Sequence, residues 1–404
     1  MINKNTIPKH WEIKLISDIG EIVSGGTPST KELSYWNGNI SWITPADLSG
    51  YTEKRISKGK KSITENGLKN SSARLMPAKS VLFSSRAPIG YVAITSNELC
   101  TNQGFKSIIP NESIDAEFLY YYLKAAKNIA ENAASGTTFK EISSKNFSKL
   151  EIPLPPLSEQ QQIVSKIEEL FGELDKGNQQ LETVKQQLKT YRQAVLKYAF
   201  EGRFTETGRD LSQQGRDLSR STENKNSLPE GWKWVKFIDF CKLQRGYDLP
   251  LKEITEGIYP LVTSSGIKGY HNEFRANGPC LITGRSGGVG NIHYMDTKKY
   301  WPHNTVLFVK DFCGNYPKYM YYFFLQFNFK SFGASTTIPT LDRKQLYNEL
   351  VSLPPIEEQK DIVTQIETRL SVCDKMEETI NNCLQQAESL RQSILKQAFE
   401  GKLI

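Results

Sequence analysis

The sequence has few of the residues that mark a metal site, a disulfide framework or a membrane anchor. Its six cysteines lie far apart with no CxxC spacing, and none of its four histidines is paired at i, i+4. This pattern predicts reduced core cysteines and no zinc site. No apolar run approaches the roughly 18 residues that a membrane-spanning helix needs, and residues 1–5 show no signal-peptide pattern. We therefore expect a cytoplasmic protein without a bound metal.

Catalytic motifs are also missing. The glycine-rich stretch Gly284–Gly290 lacks the Lys-Ser/Thr of a P-loop and the spacing of a dinucleotide fingerprint, which favours a tight turn between strands. Both Pro-Pro pairs follow leucine, so neither belongs to an amino-methyltransferase motif. No metalloprotease, hydrolase or paired-carboxylate signature stands out. These absences predict a binding protein that is not an enzyme and has no cofactor of its own.

Excess positive charge is confined to two stretches of the chain. The net charge is +7. Residues 1–153 hold 19 basic and 14 acidic side chains and residues 228–352 hold 15 and 10, whereas the other stretches have no basic excess. Cationic surface on two separate globular segments would attract a phosphate backbone. The charge alone fits an ordinary solvated surface equally well.

A duplicated segment organises the chain. The sequence Leu-Pro-Pro-x-x-Glu-Gln at 154–160 returns at 353–359, and Leu-Lys-x-Ala-Phe-Glu-Gly at 196–202 returns at 395–401. The shift is 199 residues throughout, and roughly 21 of 49 aligned positions are identical. So many identities exceed chance and predict two copies of one structural element.

Each copy is predicted to form one long helix. Apolar residues recur at steps of four and three, as in the seam of a coiled coil, and Gly202 and Gly401 end the helices. About 40 residues give a helix of about 60 Å. An antiparallel pair would relate the two halves by an approximate two-fold axis, and helices lying apart on separate partners are the alternative. The predicted seam consists of Ile163, Ile167, Leu170, Leu174, Leu181, Val184, Leu188, Tyr191, Val195, Ile362, Ile366, Met376, Ile380, Leu390 and Ile394.

The two globular segments are weaker copies of each other. Pro8-x-x-Trp11 matches Pro229-x-x-Trp232, and Leu82–Arg86 matches Leu281–Arg285. Short strand-like runs are bounded by Gly, Pro and Asn, with a helix predicted near 115–131 and its counterpart near 317–330. The pattern predicts two similar mixed domains of the α+β class.

The predicted order of the chain is a globular domain at 1–153, a helix at 154–204, a polar linker at 205–227, a second globular domain at 228–352 and a second helix at 353–404. The linker holds a small tandem duplication, Gly208–Gln214 followed by Gly215–Arg220. Its polar composition favours a flexible tether.

Polar residues of the types that read DNA sequence gather at matching places in both domains. Base edges are read by Arg, Lys, Asn and Gln, with Ser and Thr on bases or phosphates. The candidate DNA-binding residues are Ser41, Trp42, Thr44, Ser85, Arg86, Asn102, Gln103, Thr137 and Thr138 in the first domain and Thr263, Ser264, Ser265, Arg285, Ser286, Asn304, Thr336 and Thr337 in the second. Plainer interpretations exist: the two arginines could hold turns, the tryptophan could be core, and the Ser/Thr clusters could cap helices.

The motifs closely resemble those of a known family. The two Leu-Pro-Pro-x-x-Glu-Gln helices, their Ala-Phe-Glu-Gly ends and the Pro-x-x-Trp openings are similar to the specificity (S) subunits of type I restriction–modification systems. The stretches Trp42–Asp47 and Tyr259–Gly266 resemble parts of that family's target recognition domains. The resemblance covers nearly the whole chain.

The resemblance implies that each domain reads one half of a bipartite double-stranded DNA target. The paired helices would set the spacer and dock two methyltransferase subunits, and restriction (motor-nuclease) subunits would join them. S-adenosylmethionine, ATP and Mg would belong to those partner subunits. The 208–220 duplication resembles the spacer-lengthening repeats of some relatives, although it lies beyond Gly202. The alternative is a coiled-coil scaffold joining two protein-binding domains, which steep salt dependence of binding would exclude.

Overall fold

The computed structural model describes residues 7–86, 88–136, 140–204, 228–334 and 340–404. The chain divides into two compact units. Unit 1 comprises Met1–Leu181 and Asn382–Ile404, and unit 2 comprises Glu182–Asn381. Both divisions fall inside long helices, so each unit holds one globular domain together with parts of both helices.

Unit 1 contains ten strands and four short helices in its described globular part. The strands are β1 (Glu12–Leu15), β2 (Gly20–Ser24), β3 (Trp36–Ile43), β4 (Arg55–Ile56), β5 (Lys61–Ile63), β6 (Val81–Phe83), β7 (Val92–Thr95), β8 (Cys100–Thr101), β9 (Lys106–Pro110) and β10 (Glu151–Leu154). The helices are α1 (Glu65–Lys69), α2 (Ala116–Ala125), α3 (Lys127–Asn132) and α4 (Ser144–Ser148). The strands form sheets in the orders β2-β9-β6-β7-β4, β5-β3-β8 and β1-β10.

The core of unit 1 lies where α2 packs on strands β6 and β7. The continuous apolar run Val81-Leu82-Phe83 is fully buried, as expected of a central strand with both faces covered. Phe118 and Leu119 of α2 are likewise fully buried, and Phe118 belongs to the same cluster as Phe83. The burial of this run explains why its sequence does not alternate.

The first long helix, α5, runs without interruption from Leu157 to Phe200. Unit 2 then repeats the plan of unit 1. Its described strands are β11 (Lys233–Lys236), β12 (Lys242–Arg245), β13 (Tyr259–Thr263), β14 (Gly266–His271), β15 (Ala276–Asn277), β16 (Cys280–Gly284), β17 (Ile292–Met295), β18 (Lys299–Pro302), β19 (Val306–Asp311), β20 (Gly333–Ala334), β21 (Thr340–Leu341) and β22 (Leu350–Leu353). The helices are α6 (Phe237–Phe240), α7 (Pro317–Gln326), α8 (Arg343–Leu346) and the second long helix, α9 (Ile356–Phe399).

The sheets of unit 2 run β12-β19-β16-β17, β14-β13-β18-β15, β11-β22 and β20-β21. Helix α7 packs on β16 and β17 as α2 packs on β6 and β7. Short 3-10 turns occur in both units, at Ile16–Asp18, Leu33–Tyr35, Pro45–Leu48, Leu251–Glu253 and Phe329–Phe332. The predicted α+β class, the two repeated domains and the two long helices are confirmed.

The glutamine of the duplicated motif anchors each long helix to its own domain. Gln160 is fully buried; its amide oxygen accepts the Asp115 N–H at 2.8 Å, and its amide nitrogen donates to the carbonyls of Ser113 and Pro155 at 3.0 and 2.9 Å. Because a buried amide needs such partners, the motif requires glutamine here. Gln359 makes the matching set in unit 2, with the Tyr316 N–H, the Asn315 side chain and the Pro354 carbonyl.

The glutamate of the motif explains the Pro-x-x-Trp openings. Trp11 donates its indole N–H to Glu159 Oε1 at 2.9 Å, and Trp232 donates to Glu358 Oε1 at 2.8 Å. Both tryptophans are otherwise buried. The start of each domain is thereby attached to the first turn of the helix that follows that domain.

Each long helix begins at the domain that precedes it in the chain, and its Ala-Phe-Glu-Gly end packs into the other domain. Phe399 of α9 makes edge contacts with Phe118 and Tyr122 in unit 1. Phe200 of α5 contacts Tyr319 and Phe323 in unit 2. Aromatic pairs of this geometry contribute about 0.5–1.5 kcal/mol beyond the area they bury.

The glycines after these ends stop both helices as predicted. Gly202 and Gly401 have φ of +73° and +67°, in the left-handed region that glycine adopts at no steric cost. The following N–H groups of Arg203 and Lys402 reach back to the carbonyls of Tyr198 and Gln397 at 3.1 and 2.9 Å. These 6→1 bonds are those of a Schellman cap.

The helices run antiparallel to each other within each unit. In unit 2, Lys185 contacts Asn381 and Arg192 contacts Asp374. Residue numbers therefore fall along α9 as they rise along α5. In unit 1, Arg391 pairs with Asp175. The same aspartate and arginine therefore pair in both units, with each copy supplying one member, which accounts for their identity in the two repeats.

The apolar stripe of each long helix packs against the other long helix and against the cores of the domains. Most seam residues are buried or half-buried, but Tyr191, Met376 and Leu390 are exposed by 38%, 44% and 47%, contrary to the expectation that the seam is covered. A two-helix pair covers only a narrow stripe on each member. Near the ends of the helices, buried residues belong to the hydrophobic cores of the domains. Val164 and Val363, which are not part of the predicted seam, are buried in this way. The seam pattern therefore overestimates how many side chains the paired helices cover.

Candidate nucleic-acid interface

The predicted polar segments of the first domain meet at one edge. Strands β3 and β8 are parallel, and just beyond them the Asn102 N–H donates to the Ile43 carbonyl at 2.9 Å. The Ser85 N–H donates to the Gly104 carbonyl at 2.7 Å. These two bonds bring the stretches around residues 41–44, 85–86 and 102–104 together.

The second domain gathers its segments in the same way. Strands β13 and β18 are parallel, and the His303 N–H donates to the Val262 carbonyl at 2.8 Å. The Arg285 N–H donates to the Thr305 carbonyl, also at 2.8 Å. The stretches around 262–265, 285–286 and 303–305 are thus neighbours.

A glycine permits this close approach in each domain. A Cβ on Gly25 would lie 2.0 Å from the Asn102 carbonyl oxygen, and one on Gly246 would lie 2.0 Å from that of His303. No side chain tolerates such a distance. The two glycines and their neighbours are therefore equivalent positions, and Ser24 corresponds to Arg245.

The backbone hydrogen bonds show that the alignment of the two domains around Arg285 is displaced by one residue. The Ile142 N–H donates to the Ser85 carbonyl at 3.0 Å, and the Leu341 N–H donates to the Arg285 carbonyl at 3.0 Å. Arg285 therefore occupies the position of Ser85, whereas the aligned motifs pair it with Arg86. A slip of one residue moves a side chain to the other face of a strand.

Three candidate side chains of the first domain are turned inward or used in local capping. Trp42 is 5% exposed and donates its indole N–H to the Gly26 carbonyl at 2.8 Å, so it supports the edge from within. Ser85 is fully buried. Thr44 donates its hydroxyl to Asp47 Oδ2 at 2.7 Å, which holds the Pro45–Leu48 turn. Packing occupies Trp42 and Ser85, and local capping occupies Thr44, so all three side chains support the edge from within the domain.

Arg86 lies in a small charged cluster at this edge. Its guanidinium is 3.4 Å from Glu141, and the same carboxylate is 3.7 Å from Lys106. Burial, with the nearby Arg86 charge, holds the pKa of Lys106 below its ordinary value, and Glu141 opposes this shift. Two cations share one carboxylate, so the cluster keeps a net positive charge.

The remaining candidates of the first domain differ in exposure. Gln103 is exposed, and its side-chain oxygen accepts from the Thr27 hydroxyl. Asn102 accepts the Gly104 N–H at 2.9 Å and so shapes the turn. Ser41 is half-buried, and its carbonyl faces the Cys100 thiol. Thr137 and Thr138 lie outside the described residues.

In the second domain, a serine turn forms part of the edge. Thr263 is 7% exposed and bonds Ser265 Oγ at 3.0 Å and the Gly266 carbonyl at 3.1 Å, so it supports the turn and does not contact solvent freely. Ser264 is half-buried and Ser265 is exposed. The turn presents small hydroxyl groups at its surface.

Three more candidates lie beside this turn. Asn304 donates to Asp248, and Arg285 and Ser286 are half-buried next to Thr340 and Leu341. Burial lowers the pKa of His303, with Lys268 acting in the same direction and Asp248 against it. Thr336 and Thr337 lie outside the described residues.

Comparison with known proteins identifies the family. The family model for the type I restriction modification DNA specificity domain matches residues 8–186 and again residues 229–386. The chain belongs to that family. Each match covers one globular domain together with most of the long helix that follows, so the family unit is the same segment that the sequence duplicates.

Individual relatives agree with this assignment. The MjaIX type I restriction enzyme specificity subunit of Methanocaldococcus jannaschii is 32% identical over 385 residues, which span 86% of this chain and 84% of the relative. A chain from a solved type I R-M system has a TM-score of 0.74 at 18% identity, covering 98% and 99% of the two chains. The HsdS subunit from Thermoanaerobacter tengcongensis has a TM-score of 0.62 at 19% identity, covering 98% of each. The two structural likenesses concern the fold.

Sequence reasoning missed two basic residues of this specificity subunit. Arg245 and Arg343 line a cleft of about 370 Å³ together with Arg285. Of these three arginines, the sequence pattern indicates only Arg285, because it follows a recognisable motif. A signal for Arg245 exists in the alignment of Ser24-Gly25 with Arg245-Gly246, but it needs the glycine equivalence that the backbone reveals.

The described residues offer no group of three or more His, Cys, Asp or Glu arranged to hold a metal ion. All six cysteines fall in the described ranges and are free thiols, and burial raises the pKa of Cys100 and of Cys280 to about 12. Among the described helices, none is long and apolar enough to cross a membrane.

Proposed function

We propose that this specificity subunit reads a bipartite double-stranded DNA target, one half with residues 1–153 and the other with residues 228–352. The observation that carries the proposal is the repeated edge. The same backbone bonds gather three polar segments in each domain, while the side chains presented differ. One scaffold with two different surfaces suits two readers of different sequences.

The proposed direct contacts are the candidates that remain accessible at the two edges. They comprise Ser41, Arg86, Asn102 and Gln103 in the first domain and Ser264, Ser265, Arg285, Ser286 and Asn304 in the second. Cationic side chains, Arg86 and Arg285 among them, supply affinity for the phosphate backbone, and the neutral polar groups supply the choice of sequence.

The paired helices are proposed to fix the spacer between the half-targets and to dock two methyltransferase subunits, with restriction subunits joining the assembly. The subunit is non-catalytic in this scheme. S-adenosylmethionine, ATP and Mg bind the partner subunits, and the complex acts in the cytoplasm. The exposed Tyr191, Met376 and Leu390 give the helices apolar surface for protein contacts.

Methylome sequencing tests the proposal directly. Cells that express the complete system should carry one methylated motif with two fixed half-sites and an unread spacer. Cells from which only this chain is deleted are the control and should lack that motif. Methylation that persists without the chain would contradict the proposal.

Salt dependence separates DNA reading from the scaffold alternative. Binding that releases counterions from DNA weakens steeply as salt rises, by about 10³–10⁵-fold between 50 and 200 mM for 6–10 phosphate contacts. We expect the purified chain to show this dependence with duplex DNA. A scaffold would show no affinity for the duplex at either salt concentration.

A further inference from the structure

Three arginines converge on one cleft of the second domain. Arg245 ends β12, Arg285 follows β16, and Arg343 begins α8. Leu307 of β19 lies opposite Arg245 on one side and opposite Thr283 of β16 on the other, so it forms the floor between the strands. Together with Thr340, Leu341 and Asp342 these residues enclose about 370 Å³.

The positive charge of this cleft is only weakly neutralised by the described residues. Arg245 is 3.6 Å from Asp248, with both side chains at least half exposed, and such a pair contributes little. Arg343 donates to the Leu243 carbonyl at 3.2 Å, which holds the guanidinium without neutralising it. Asp342, the one carboxylate in the lining, accepts the Lys344 N–H at 2.9 Å as the cap of α8.

The first domain shows that the fold does not need these arginines. Ser24 stands at the position of Arg245, before the equivalent glycine, and Ser85 stands at the position of Arg285. Ser144 begins α4 as Arg343 begins α8, each after a side chain that caps the helix. The Ser24 and Ser144 hydroxyls lie 3.0 Å apart in a hydrogen bond.

The internal repeat therefore acts as a control for the role of the cleft. The same strands and the same helix form with three serines in one domain and three arginines in the other. Clustered guanidinium groups repel each other, so their presence at three equivalent positions indicates a bound anion more than a need of the fold.

We propose that Arg245, Arg285 and Arg343 clamp one phosphate of the DNA backbone, and that the three serines at the equivalent positions of the first domain do not form this clamp. The inference rests on the proposed DNA-reading function. Arginine pairs with phosphate through two parallel N–H···O bonds. A guanine edge offers two acceptors and no charge, whereas a backbone phosphate brings a negative charge and two unesterified oxygens, each of which can accept more than one N–H.

Binding of the full-length chain to two duplexes over a series of salt concentrations tests the clamp. One duplex carries the methylome-derived target and the other an unrelated sequence. The triple variant Arg245→Gln, Arg285→Gln, Arg343→Gln should bind both duplexes more weakly by a similar factor. Its slope of log K against log salt should be shallower by about one, the loss of one phosphate contact.

Two matched variants serve as controls. Lys344→Gln removes one positive charge beside Arg343 from a side chain outside the cleft lining, and Ser24→Ala alters the equivalent position of the first domain. Both should keep the slope of the unchanged chain. Thermal melting followed by circular dichroism verifies that the triple variant is folded, and single variants replace it if it is not.

The possible results separate the clamp from its alternatives. Unchanged affinity and slope in the variants would refute the clamp alone, and a loss confined to one base pair with an unchanged slope would assign the arginines to base reading. Stabilisation of the chain by inorganic phosphate, with DNA binding unaffected by the variants, would assign the cleft to a free phosphate ligand and overturn the inference. Failure of the unchanged chain to bind either duplex would refute the proposed function and the clamp with it.

Discussion

At the scale of single residues, the buried amides of the duplicated motif are the most demanding positions. The side-chain amide of Gln160 accepts one N–H and donates to two carbonyls. Because the side chain is fully buried, water cannot take its place as their hydrogen-bond partner. Each buried polar group left unpaired costs about 1–3 kcal/mol. The motif therefore retains glutamine for a stability reason that is independent of DNA.

We predict that Gln160→Ala destabilises unit 1 by at least about 1–3 kcal/mol, the cost of one orphaned group. The neighbouring Gln161→Ala is the control, because that side chain is exposed and its loss should change stability by less than about 0.5 kcal/mol. Urea unfolding gives the free energies, and hydrogen exchange at the Asp115 amide locates the effect. Equal stability of the two variants would contradict the role assigned to the motif.

His303 gives a pH prediction at the same scale. Because burial lowers its pKa from the ordinary value of 6.5, the folded chain disfavours the protonated ring. The unfolded chain then binds more protons at acid pH, so this stabilising contribution is present above pH 6.5 and is lost as pH falls through the folded-state pKa. We expect His303→Gln to lose less stability than the unchanged chain between pH 7.5 and 5.5, as measured by denaturant unfolding. An identical loss in both proteins would count against this assignment.

At the scale of elements, each long helix begins against one domain and ends in the core of the other. We predict crossed effects of Phe399→Ala and Phe200→Ala, each costing about 3–5 kcal/mol as for other buried aromatic truncations. Phe399→Ala should expose amides near residues 118–122 to hydrogen exchange, and Phe200→Ala those near 319–323. Each variant is the control for the other. Loss of hydrogen-exchange protection in the domain where the altered helix begins, and not in the domain where it ends, would show that the helix ends do not pack as described.

The sequence predicts these helices well because their periodicity and end signals are local. Gly202 and Gly401 mark the stops, and the 199-residue repeat fixes the length. It does not predict how the apolar stripe is shared between the partner helix and the domain cores. Tyr191 and Ile163 fit the same heptad pattern, yet only Ile163 is buried, because a domain lies against the helix there and the partner helix is too narrow to cover Tyr191.

The edge of each domain is only partly predictable from sequence. Composition places the right segments there, since Ser, Thr, Asn and Arg cluster after strands. It does not show that Trp42 and Ser85 point inward, or that Arg245 and Arg343 join Arg285 from distant parts of the chain. Both facts depend on strand register, and a shift of one residue exchanges the inner and outer faces.

At the scale of the whole molecule, the units do not coincide with the predicted sequence domains. Residues 382–404, the last in the chain, belong to unit 1 with the first domain. Exchange of a recognition domain must therefore preserve contacts with two helices. Those contacts involve Trp11 with Glu159, Asp115 with Gln160, and Phe118 with Phe399.

We predict that replacing residues 1–153 with the matching domain of another family member changes one half of the DNA target only. The replacement must keep the equivalents of Trp11, Phe118 and Tyr122 and a backbone N–H at the position of Asp115, because Glu159, Phe399 and Gln160 would otherwise lose their buried partners. The control is the same exchange with the equivalent of Phe118 replaced by alanine, which should destabilise unit 1 by about 3–5 kcal/mol and reduce methylation of the whole target. Methylome sequencing reads both half-sites and the spacer together. A change in both half-sites, with the second domain untouched, would show that the two domains do not read DNA independently.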